Sequence, residues 1–105
     1  MYRATTPTLI FIFPPEADIE DASEIFVTFA KQNGKEILTK TGADLVVEEN
    51  EVAVYFTQED SLKMPAGAVK CQLNWLYQEA NTIKRACSQI MTIFALDNLI
   101  DEVLE

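Results

Sequence analysis

Short apolar-alternating runs broken by tight-turn signals constrain this chain more than any other feature, and Phe26 to Lys31, Asn33-Gly34 and Glu36 to Lys40 show it most clearly. Asn-Gly between two such runs predicts a two-residue hairpin turn, because both residues tolerate the positive φ it requires. The chain therefore reads as mostly β.

The same punctuation recurs along the sequence. Thr8 to Phe13 is an apolar run ended by Pro14-Pro15, which cannot donate to a ladder. An acidic connection, Glu16 to Glu24, reads as a solvated loop. Ile19, Ala22, Ile25, Phe26, Phe29 and Ala30 have helical spacing, yet Ile25-Phe26-Val27-Thr28-Phe29 is β-branched and aromatic with a hairpin turn close behind. A strand over 24–31 is the reading adopted; a helix over 19–30 would make the fold α+β. Glu36 to Lys40 returns as a strand and Gly42-Ala43-Asp44 turns. Leu45 to Glu48 then pairs with Val52 to Phe56 across Glu49-Asn50-Glu51.

Thr57-Gln58-Glu59-Asp60 has the form of a capping box, which predicts one helical turn over 57–64, ending near Met64-Pro65. Val69, Cys71, Leu73, Trp75 and Tyr77 alternate along the longest strand, with Trp75 the largest core contributor. Gln78 to Asn81 is a hairpin loop, and 82–95 forms one returning strand. About seven short strands with hairpin connections predict a two-sheet antiparallel sandwich, a single domain over residues 1–105. Leu96, Leu99, Ile100, Val103 and Leu104 follow helical spacing, so a short terminal helix is expected, packed on the domain or offered to a partner. These five are the candidate partner-binding residues.

Candidate chemistry is sparse. The chain has no histidine, so neither Cys71 nor Cys87 has the usual activating base, and two cysteines cannot complete a zinc site. Both are read as small buried hydrophobes in different strands. Asp18, Glu20, Asp21 and Glu24 lack the glycine and the alternation of a calcium loop and read as a solvated connection. Trp75, Tyr55 and Tyr77 could form an aromatic platform for a sugar or a peptide, although a core Trp75 with partly exposed tyrosines is the stronger reading. No catalytic, metal or cofactor site is assigned.

With 17 acidic against 8 basic side chains the net charge is −9, which disfavours nucleic acid and anionic membranes as partners. The opening Met1 to Thr6 has no basic region leading into an apolar stretch, and no segment is long enough to span a bilayer, so a cytoplasmic location in the producing cell is expected.

Several segments together resemble a family of small prophage-encoded proteins from the tail and baseplate gene region of phages of Gram-positive bacteria. They are Tyr2 to Thr8 leading to Phe13, Val27 to Lys35, Phe56 to Leu62, Val69 to Trp75, Arg85 to Ser88, and Leu99 to Leu104. The resemblance implies an immunoglobulin-like sandwich without enzymatic activity, a structural or assembly protein of the tail whose partners are other tail or baseplate proteins or itself. It also favours the strand reading of 24–31. Two rival functions follow from the residues instead: a small acidic inhibitor occupying a basic host protein surface, and a carbohydrate-binding module using Trp75 and the tyrosines.

Overall fold

The alternation becomes eight strands in the structure, a computed structural model that describes residues 1–96, 103 and 104. They are β1 (Thr8–Ile12), β2 (Glu24–Ala30), β3 (Glu36–Thr41), β4 (Leu45–Glu48), β5 (Glu51–Tyr55), β6 (Gly67–Glu79), β7 (Thr82–Cys87) and β8 (Met91–Ala95). One short helix, α1 (Gln58–Leu62), connects β5 to β6. The smaller sheet has the order β1-β5-β4; the larger runs β3-β2-β6-β7, with β8 also paired to β6, and every pairing is antiparallel. The chain is thus mostly β, in two sheets with a small helix.

The sheets share one core because the period of two sends alternate residues to a common interior. Ile25, Val27 and Phe29 of β2 and Val69, Cys71, Leu73 and Trp75 of β6 meet Val52 and Val54 of β5, with Phe56 just beyond it. Phe29 and Phe56 pack edge to face at 5.1 Å between ring centroids, and Phe13 does the same on Trp75 at 5.4 Å. Trp75 is core as expected; its indole N–H donates to the Tyr77 hydroxyl, which in turn donates to the carbonyl of Ala17.

Strand propensity prevails in the ambiguous segment. β2 is a central strand with partners on both sides, and its interior face is Ile25, Val27 and Phe29. A helix there would have turned Phe26 inward and left Val27 out, the reverse of what is seen. The acidic connection is more than a solvated loop. It folds into two 3₁₀ turns, Pro15–Ala17 and Ile19–Asp21, and the second drives Ile19 fully into the core.

Two further expectations need correction. Asn33-Gly34 does not make a two-residue turn. The Lys31 N–H donates to the Lys35 carbonyl and the Gly34 N–H to the Lys31 carbonyl, enclosing a three-residue loop in which Gly34 alone has positive φ, +89°. This is the three-residue hairpin whose left-handed position selects glycine. The returning strand over 82–95 is also two strands, because Ser88 breaks it. Its hydroxyl accepts the Leu73 N–H at 3.0 Å while its own N–H donates to the Leu73 carbonyl at 2.9 Å. A side chain thereby replaces a backbone acceptor, and β7 and β8 lie end to end along one side of β6.

The capping box is present in full: the Asp60 N–H donates to Thr57 Oγ1 at 3.1 Å, and the Thr57 N–H donates to Asp60 Oδ2 at 3.0 Å. A helix this short needs outside support. Arg3 supplies it at the C-terminal end, donating to the carbonyls of Met64 at 2.7 Å and Leu62 at 3.1 Å, while the Ser61 hydroxyl donates to the Thr5 carbonyl. Lys40, on an inward position of β3, pairs with Asp60 and lies over the Phe56 ring. Burial alone would raise the Asp60 carboxyl; hydrogen bonds from Lys40 and Thr57, with the lysine charge, outweigh it and hold the group below its ordinary value.

Candidate functional site

On the smaller sheet, Leu9 and Phe11 of β1 turn inward, so Thr8, Ile10 and Ile12 turn out. The register carries this face across the sheet. Ile10 lies opposite Ala53, which lies opposite Val46; Ile12 lies opposite Glu51, which lies opposite Glu48; and Thr8 lies opposite Tyr55. Ile10 is 58% exposed and Ile12 is 77% exposed, so both hold apolar surface in water. A shallow depression of about 210 Å³ on this face is lined by Ile10, Val46, Glu48, Glu51, Ala53 and Tyr55.

β1 is also an edge. The Pro7 carbonyl accepts from Phe56 and the Phe13 N–H donates to Asn50, so odd-numbered residues direct their backbone groups toward β5. The alternate residues Thr8, Ile10 and Ile12 direct theirs away, and among the described residues nothing pairs with that side. Among the other edges, β7 carries Lys84 and Arg85, β3 Glu36 and Lys40, and the four-residue β4 Glu48; β8 is uncharged as well, but Met1 occupies part of its free side, donating to the Phe94 carbonyl and accepting the Leu96 N–H. β1 has no charged residue and no internal proline, the features that ordinarily prevent strand addition. The exposed outward side chains and the open edge make β1 the candidate contact site.

The C-terminal stripe fares differently. Leu96 is extended rather than helical, bridged in parallel to Tyr2 and accepting the Arg3 N–H at its carbonyl. Leu99 and Ile100, and with them the expected terminal helix, lie outside the described residues. Val103 and Leu104 are exposed, and the side-chain amide of Gln58 holds Leu104 by two backbone hydrogen bonds of 2.7 and 2.8 Å. Of the five, Leu96, Val103 and Leu104 are among the described residues, Leu96 in an isolated bridge and the other two outside any helix or strand.

The aromatic trio is not assembled either: Trp75 and Tyr77 meet near Ala17 while Tyr55 lies on the outer face of the other sheet. Asp18 joins the two 3₁₀ turns in a left-handed conformation and offers Tyr77 its backbone carbonyl. Among the described residues no three His, Cys, Asp or Glu side chains gather as a metal site, and no helix is long and apolar enough to cross a membrane.

The cysteines separate. Cys71 is buried and burial pushes its thiol up to about 12, whereas Cys87, expected to be buried, is exposed beside Asn74 on the other face of the sheet. A thiol reagent at about pH 8 is therefore expected to modify Cys87 in the native protein and Cys71 only after denaturant is added. Mass-spectrometric mapping of the labelled peptides checks this, and native labelling of Cys71 would contradict its burial.

No family model, curated protein or solved structure matches the chain.

Proposed function

We propose that this chain is a non-enzymatic structural or assembly protein of a phage tail or baseplate, built as an immunoglobulin-like sandwich and acting through protein–protein contact at the free edge of β1. The observation that carries the contact reading is the uncharged edge of β1 with Ile10 and Ile12 exposed beside it. The strand orders support the immunoglobulin-like reading. β1-β5-β4 corresponds to strands B-E-D of that sandwich, and β3-β2-β6-β7 to C′-C-F-G. On this correspondence the position beside β1 that strand A would fill is open, because the segment before β1 lies against the end of β8 instead. An open position of this kind accepts a strand from another protein. The tail assignment draws on the family resemblance of the sequence.

The test is quantitative mass spectrometry of tail particles purified from the producing host, with wild-type chain and with the folded double variant Ile10→Lys, Ile12→Lys. Stoichiometric wild-type chain and loss of the variant are expected. Wild-type chain abundant in the lysate but absent from particles would overturn the structural role and favour the acidic inhibitor.

A further inference from the structure

We infer that the strand received by β1 is basic: it carries a lysine or arginine beside Ile12 and an apolar residue beside Ile10. This rests on the contact reading of β1 and adds the chemistry of the partner.

The outward positions of the smaller sheet include two charges, Glu48 and Glu51, and no cation. The two glutamates are direct cross-strand partners at the end of the β4–β5 hairpin, where like charges oppose each other at a cost. Neither has an ion pair among the described residues, and none of those residues brings a cation to relieve the repulsion. A strand added to β1 would stand about 10 Å from β5, two inter-strand spacings, a gap that an extended lysine or arginine and a glutamate close together. Its aliphatic stem would cross Ile12, whose apolar surface suits it, and its head would reach the pair of carboxylates. Two residues further along the added strand, the next outward side chain falls beside Ile10 and the Ala53–Val46 rung, which offers only apolar surface.

Charge also selects against the obvious alternative occupant. A second copy of this chain would bring another −9 and a second glutamate pair to the same contact. β1 itself carries no charge to offset them.

The experiment uses ¹⁵N-labelled full chain titrated with three short peptides of alternating valine and threonine that differ only at a central outward position, arginine, threonine or glutamate. The arginine peptide is expected to bind about fivefold or more tighter than the glutamate peptide. Amide shifts should centre on Thr8 to Ile12, and the preference should collapse in Glu48→Gln, Glu51→Gln and in about 1 M salt. Equal binding of all three peptides at β1 would overturn the charge inference and leave the contact reading standing. Shifts away from β1, or no binding by any peptide, would overturn both.

Discussion

Asp60→Asn is expected to lower the unfolding free energy by about 3 kcal/mol, read from urea denaturation. The substitution keeps an oxygen that can accept the Thr57 N–H and removes only the charge. Lys40, 5% exposed, is then left in the interior with Asp44 at 3.9 Å as its remaining counter-charge. Most of the loss comes from that ammonium, which the distant and exposed Asp44 compensates only in part, so adding Lys40→Met to Asp60→Asn should recover much of the stability. If the double variant is no better than the single, the cost lies in the helix cap instead. The pair also sets a pH dependence. Because the folded carboxyl titrates below its unfolded value, its contribution is full above the unfolded pKa of about 4 and is lost as the pH falls through the lower folded one. In Asp60→Asn that component of the acid dependence should vanish.

Phe29→Ala is expected to be at least as costly, about 3–5 kcal/mol. Phe29 is wholly buried on a central strand, with Cys71 opposite on β6, Leu38 opposite on β3, and Phe56 packed against its ring from beyond β5. Truncation leaves a void lined by both sheets, and the flanking strands cannot close on it because each is fixed in its ladder. Domains have about 5–15 kcal/mol to lose in total. Calorimetry should show a single transition at a much lower temperature; a loss under about 1 kcal/mol would mean that the sheets relax into the gap.

What could be read in the sequence follows from how local the determinants are. The capping box lies within four residues, and the long alternation from Val69 to Tyr77 places its own interior face, so both were legible. The second partner of Asp60 was not, since nothing in Glu36 to Lys40 marks the lysine as inward until the Ala30–Glu36 bulge has set the register. Ser88 resembles any strand serine until the neighbouring strand offers it the Leu73 N–H. The candidate site was missed for a different reason. Thr8 to Phe13 is apolar at nearly every position, and a continuous run gives no alternation from which to tell an inward from an outward residue. The terminal stripe from Leu96 to Leu104, by contrast, has periodic spacing and so stands out in the sequence.

The chain visits the two sheets in turn: β1 in the smaller, β2 and β3 in the larger, β4 and β5 back in the smaller, then β6 to β8 in the larger. Hairpins β2–β3, β4–β5 and β6–β7 close locally, but Thr8 waits for Tyr55 and Glu24 for Leu76. Such high contact order places folding in the millisecond-to-second range. During translation the interval is longer still. β2 is made on the order of several seconds before β6 can reach it, with the backbone groups on its β6 side unpaired throughout. Chaperone engagement of the nascent chain should therefore concentrate on β2, and end when β6 is complete.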